Sequence, residues 1–170
     1  MRKNKIFYIM IILSALAFCY SCEKKEPAAQ PEPSEIMSKI TEKFPGNQVK
    51  YDSGEKSGKL SESHANDMYS EDKSKPVDLS KIEKYSIIKS DGKSAAEIGI
   101  FKLYDKTNAE YVKKMAQARI TKMQGVDAGI EMSDIFNDAE IRSYGNYVYY
   151  VSHPQKDKVF KIIEDTLRGA

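Results

Sequence analysis

The chain has 170 residues, with 27 Lys plus Arg against 25 Asp plus Glu and a formal net charge of +2. Three of those cations, Arg2, Lys3 and Lys5, stand in the first five residues, so the chain beyond residue 21 has 24 against 25 and lacks the excess of positive charge that nucleic-acid binding calls for. Both cysteines, Cys19 and Cys22, also fall near the start, so the rest has no disulfide, thiol nucleophile or thiolate metal site and must be held by apolar burial, which a domain of about 100 residues supplies.

After the basic start, Ile6 to Phe18 is apolar except for Ser14. These 13 residues fall short of the roughly 20 that cross a bilayer, and the layout is that of an export signal over residues 1–21. Ser21 is the small residue required before a lipid-bearing cysteine. Cys22 is therefore the expected lipidation site, carrying palmitate-type chains that hold the protein at a membrane; two such chains anchor stably, at about 0.8 kcal/mol per buried methylene. The alternative is a cut after Ala17, in Ala15-Leu16-Ala17, which releases a soluble secreted protein. Cys19-x-x-Cys22 has redox spacing, but no thioredoxin-like βαβ pattern follows it.

Residues 22–33 form a tether. Its EKKEPAAQPEP stretch has three prolines and no large apolar residue, and it is expected to stand the domain about 30 Å off the bilayer without joining a core. Residues 34–67 are expected to be a short helix and a polar loop. Ser34 offers an N-cap, Ile36, Met37, Ile40 and Phe44 recur at helical spacing, and Pro45-Gly46 stops the run. Asn47 to Pro76, rich in Ser, Gly, Lys and acidic residues, reads as loop, with His64 solvated in it.

The main domain is expected over residues 68–170. Asp91-Gly92 divides Lys84–Ser90 from Ala95–Tyr104, a hairpin signal because both turn positions tolerate positive φ. Thr107-x-x-Glu110 reads as a capping box. Val112, Met115, Ala116, Ile120 and Met123 follow on one helix face until Gly125. A helical turn is expected around Ile135 and Phe136. Gly145-Asn146 then divides Ala139–Tyr144 from Tyr147–Ser152, a second hairpin. Ser152-x-x-Gln155, with Pro154, opens a last helix whose stripe is Val159, Phe160, Ile163 and Leu167. The expected class is α+β: an antiparallel sheet of about four strands from two ββα units, with helices mainly on one face and a short N-terminal helix added.

Ala95-Ala96-Glu97-Ile98-Gly99-Ile100-Phe101 and Gly145-Asn146-Tyr147-Val148, each followed by a helix, resemble the two signature hairpins of small bacterial lipoproteins grouped as domain of unknown function 4358. The resemblance spans about Met68 to Leu167. It implies an architecture and a location, and no activity.

Catalytic patterns are fragmentary. Gly92-Lys93-Ser94 resembles the end of a phosphate-binding loop, but Ile87 stands where that loop needs glycine. Ser53, Ser70 and Ser86 each precede a lysine by three residues without the companion motifs of a serine acyl enzyme. The acidic group Asp127, Glu131, Asp134, Asp138 and Glu140 lacks the order of a calcium loop and reads as a solvated face. No metal or other cofactor is expected. Tyr144, Tyr147 and Tyr149 flank the second turn and form the candidate binding surface. The expected function is a lipid-anchored extracytoplasmic lipoprotein of the cell envelope, a non-catalytic binding or scaffolding module. Its expected partners are the membrane, through Cys22, and an envelope protein or glycan. The alternative is a small envelope hydrolase using His153.

Overall fold

In β3, Glu97–Leu103, and β5, Tyr147–Ser152, every residue is buried. These strands do not alternate apolar with polar residues, so the sheet they form must be covered on both faces. The computed structural model describes residues 30–46, 48–55, 58–72, 74–90, 96–124 and 135–169. The leader, Cys22, the Asp91-Gly92 turn and Asp127, Glu131 and Asp134 lie outside the described residues.

Among the described residues five antiparallel strands are ordered β1-β2-β3-β5-β4, with β1 at Gln48–Asp52, β2 at Ile82–Ser90 and β4 at Glu140–Tyr144. Among the described residues four helices of eight or more residues accompany them: α1, Pro33–Lys43; α2, Glu62–Tyr69; α3, Ala109–Gln124; and α4, Lys156–Arg168. Residues 135–137 are helical too, as expected around Ile135 and Phe136. One face of the sheet presents Tyr85, Ile87, Phe101, Leu103, Val148 and Tyr150 to α2 and α3. The other presents Ile88, Ile98, Ile100, Tyr147, Tyr149 and Val151 to α1 and α4. The class is α+β as expected, while the sheet has a fifth strand and helices lie on both faces instead of mainly one. The consecutive apolar residues of β3 and β5 are the physical reason.

The polar stretch 47–76 is largely structured. β1 pairs with β2 in register from Gln48↔Ser90 to Asp52↔Ser86; its first three residues are exposed, as suits an edge strand. Ser61 caps α2 by accepting from the His64 amide at 3.2 Å, and Ala65, Met68 and Tyr69 are buried at helical spacing. Because α1, β1 and α2 pack into the same two cores as the rest, residues 34–67 are not a separate region.

The tether reading is corrected at its C-terminal end. Pro31 and Pro33 are buried, α1 is capped by Glu32 instead of Ser34, and Glu35 reaches back to the Glu32 amide at 3.3 Å. The caps expected later also differ. Asp105, not Thr107, opens the 3-10 turn Lys106–Asn108 that leads into α3, and Glu110 pairs with Lys113. At α4 the acceptor is His153 Nδ1, 2.9 Å from the Gln155 amide. The Gly145-Asn146 turn forms as expected, with Tyr144 opposite Tyr147. Gly145 at φ +58° is the described residues' one positive-φ position, the type II′ pattern. The buried stripe of α4, Val159, Phe160, Ile163 and Leu167, is the expected one.

Candidate functional site

A buried polar cluster sits between the sheet and α3. Glu97, at the start of β3, is 2 % exposed. Its carboxylate accepts from Arg119 Nε at 2.9 Å and Nη2 at 2.6 Å, a bidentate pair from α3. The Tyr150 hydroxyl donates to the same carboxylate at 2.5 Å, and the Tyr69 hydroxyl lies 2.8 Å from that of Tyr150. A hydrogen-bonded chain thus runs from the end of α2 through β5 to an ion pair beneath α3. Burial, with the Glu97 charge adding to it, pushes the Tyr69 and Tyr150 phenols well above their ordinary range. Burial works against the Arg119 charge, but the Glu97 hydrogen bonds and charge outweigh it and hold the guanidinium above its ordinary value. Every member is satisfied, so the cluster is a rigid support.

That support underlies a cleft. The Tyr69 ring, with Val77, Met115 and Pro76, lines an open cavity of about 170 Å³, and Lys75, Lys114 and Glu71 stand around it. The segment after α2 is held in place by side chains. Asn66 Oδ1 accepts from the Val77 amide and the Tyr111 hydroxyl from the Asp78 amide, each at 2.6 Å. Lys81 Nζ sits 4.0 Å over the Tyr111 ring. A preformed concave surface with an apolar floor and a few charges around it is the ordinary form of a binding site, and its volume suits one ring-sized group, since a cavity of about 150 Å³ accepts benzene.

The residues singled out from sequence fall elsewhere. Tyr147 and Tyr149 are each 2 % exposed and belong to the core under α1 and α4, so the three-tyrosine surface is corrected to Tyr144 alone, which is 43 % exposed. A doubly covered central strand leaves no outward face for its tyrosines. His153 is half-buried, with its ring tilted on Phe44 at 5.1 Å; burial lowers its pKa. The bond from the Gln155 amide occupies its Nδ1 as an acceptor. His64 is exposed on α2. Of the acidic group, Asp138 pairs with Lys156 and Glu140 with Arg142. Ser53 Oγ accepts from the Tyr85 amide, the Ser70 hydroxyl faces the Asp72 and Lys75 carbonyls, and Ser86 is buried in the sheet opposite Asp52. Among the described residues no three His, Cys, Asp or Glu side chains gather as a metal site would need, and no helix is long and apolar enough to cross a membrane.

The family model for the domain of unknown function (DUF4358) matches residues 59–153, more than half of the chain. The chain belongs to the DUF4358 family. The match runs from just before α2 through β5, so the DUF4358 segment holds the whole Tyr69–Tyr150–Glu97–Arg119 chain and the cleft, while α1, β1 and α4 lie outside it. No curated protein and no solved structure matches this DUF4358 chain. Sequence reasoning missed the cleft because its parts come from α2, the following loop and α3, and only the pairing of sheet and helices brings them together.

Proposed function

We propose that this DUF4358 protein is a lipid-anchored extracytoplasmic lipoprotein that acts at the cell envelope as a binding or scaffolding module without catalysis. The observation that carries the reading is the N-terminal order: basic residues, a 13-residue apolar run broken only by Ser14, then Ser21-Cys22, with only eight residues, 23–30, between that cysteine and buried Pro31. The cleft beside Tyr69 supports the binding half of the proposal. The use of His153 Nδ1 as a backbone acceptor at the start of α4 supports the half without catalysis, because that nitrogen is already engaged. The partner is an envelope protein or glycan, bound while acylated Cys22 holds the domain at the membrane.

The test replaces Cys22 with Ala in the full-length chain and follows both fractionation and intact mass. Loss of the protein from the membrane fraction, together with a wild-type mass raised by acyl groups, is the expected result. A wild-type chain beginning at Phe18 without added mass overturns the anchor in favour of a secreted soluble protein.

A further inference from the structure

The folded part is fastened to the chain that leads into it. Tyr147, the first residue of β5, donates its hydroxyl to the Pro31 carbonyl at 2.6 Å. Lys102, the penultimate residue of β3 and opposite Tyr147 in register, places its nearly buried Nζ 3.0 Å from Glu32 and 3.6 Å from Glu83. The incoming chain is therefore fixed at one end of the sheet, the end formed by the close of β3, the Gly145-Asn146 turn and the start of α1.

The same end carries two of the three exposed large hydrophobic side chains among the described residues. Tyr104, just past β3, is 69 % exposed, and Tyr144, just before the turn, is 43 % exposed. The two loci are tied together, since the Leu103 amide donates to the Asn146 carbonyl at 2.8 Å and Asn146 Nδ2 donates to the Leu103 carbonyl at 3.1 Å. The third, Val49, pairs with Lys89 near the opposite end. Charges of both signs accompany the two tyrosines, with Arg168 6.0 Å over the Tyr144 ring and Asp105 and Lys106 following Tyr104 in the chain, so the surface is not built for anionic lipid.

From these relations we infer that the end of the sheet bearing Tyr104 and Tyr144 rests on the bilayer that holds the chain's own anchor, with both phenols at the headgroup level. The inference rests on the proposed lipidation of Cys22. The eight residues between Cys22 and Pro31 span at most about 32 Å however extended they are, and they start from the end of the molecule where the tyrosines stand. Tyrosine prefers the membrane–water boundary, where its ring is sheltered and its hydroxyl stays wet. This arrangement leaves the other end of the sheet, with Gln48 and Val49, pointing away from the membrane.

The mature lipoprotein, reconstituted into phosphatidylcholine vesicles, tests this. Single-cysteine variants Lys106→Cys, Ser143→Cys and Gln48→Cys are each labelled with an environment-sensitive fluorophore and quenched by lipids carrying a headgroup nitroxide. Strong quenching at positions 106 and 143 with little at 48 is expected, and adding Tyr104→Ser with Tyr144→Ser removes most of the quenching while the protein still floats with the vesicles. Equal quenching at all three positions, or quenching untouched by the tyrosine changes, overturns the surface while acylation read by intact mass leaves the anchor standing. A purified chain without acyl mass overturns both.

Discussion

Tyr150 lies across Gly99, its register partner on the neighbouring strand, and the glycine's missing Cβ is what lets the phenol reach Glu97. A Cβ at position 99 would overlap the Tyr150 ring, which is buried and stacked near Phe101 at 6.2 Å between centroids. Overpacking of this kind costs about 1–3 kcal/mol, more than the roughly 0.5–1 kcal/mol that alanine gains over glycine in a strand. Gly99→Ala is thus expected to lower the urea midpoint. In a Tyr150→Leu background the same change should cost less, because the clash has been removed, and a cycle showing no coupling would sink the account.

The Arg119–Glu97 pair behaves as a unit. Arg119→Met alone leaves a carboxylate that is 2 % exposed without its cation, a change expected to cost about 3–5 kcal/mol. Replacing both partners, with Glu97→Met added, removes the buried charge altogether and should recover most of the loss, since Tyr69 and Tyr150 still bond each other. Thermal unfolding of the two single variants and the double one decides it: a double variant as unstable as Arg119→Met would show that the hydrogen-bonded chain, and not charge burial, sets the cost.

The buried tyrosines fix the alkaline limit of the fold. Tyr147 and Tyr149 are pushed up to about 12, chiefly by burial, Tyr69 and Tyr150 well above the ordinary 10.0, and Tyr85 upward as well. Each phenol is held neutral in the folded chain and ionises near its ordinary value in the unfolded one. Their contribution to stability is therefore complete below the unfolded value and falls as pH rises toward the folded values. Denaturant midpoints measured through that range should drop steeply, with the near-ultraviolet phenolate signal of the buried set appearing together with loss of tertiary circular dichroism.

How much of this was readable from the chain depends on how local the signal is. The α3 and α4 stripes and the Gly145-Asn146 turn rest on neighbours a few residues apart, and they appear where the pattern puts them, except that Met123 of α3 is only half-buried and Ala118 is buried as well. β1 and α2 did not show, because Val49 and Tyr51 sit on an edge strand and three buried residues in eight make a weak stripe. Coverage of both faces was written in Ile98–Phe101 and Tyr147–Val151, whose runs without a charged residue contradict a one-sided sheet. The Glu97–Arg119 pair spans 22 residues and joins a strand to a helix, so no spacing rule marks it. The cleft depends on that same joining.

His153 sets an acid-side dependence of the opposite sense. Burial lowers its pKa from 6.5, so the unfolded chain takes up a proton more readily than the folded one. Its contribution is present above the unfolded value and is lost as pH falls through the folded one. Protonation also claims the Nδ1 lone pair that accepts from the Gln155 amide. Wild-type stability should fall between about pH 7 and about pH 5 by more than that of His153→Gln. Parallel curves for the two proteins would remove His153 as the source.

The fastening of the incoming chain should be separable from the stability of the core. Tyr147→Phe removes the hydroxyl that reaches the Pro31 carbonyl, and Lys102→Met removes the cation shared by Glu32 and Glu83. A single hydrogen bond contributes about 0.5–1.5 kcal/mol, so the global unfolding midpoint should move little in either variant. The Glu35 and Ile36 amides, which both donate to the Glu32 carbonyl, depend on the position of Glu32. They should exchange with solvent faster in both variants, while Ile100 at the centre of β3 keeps its protection. Unchanged exchange at Glu35 and Ile36 would mean that α1 is seated by Ile36, Met37 and Ile40 alone, through their burial against the sheet and α4.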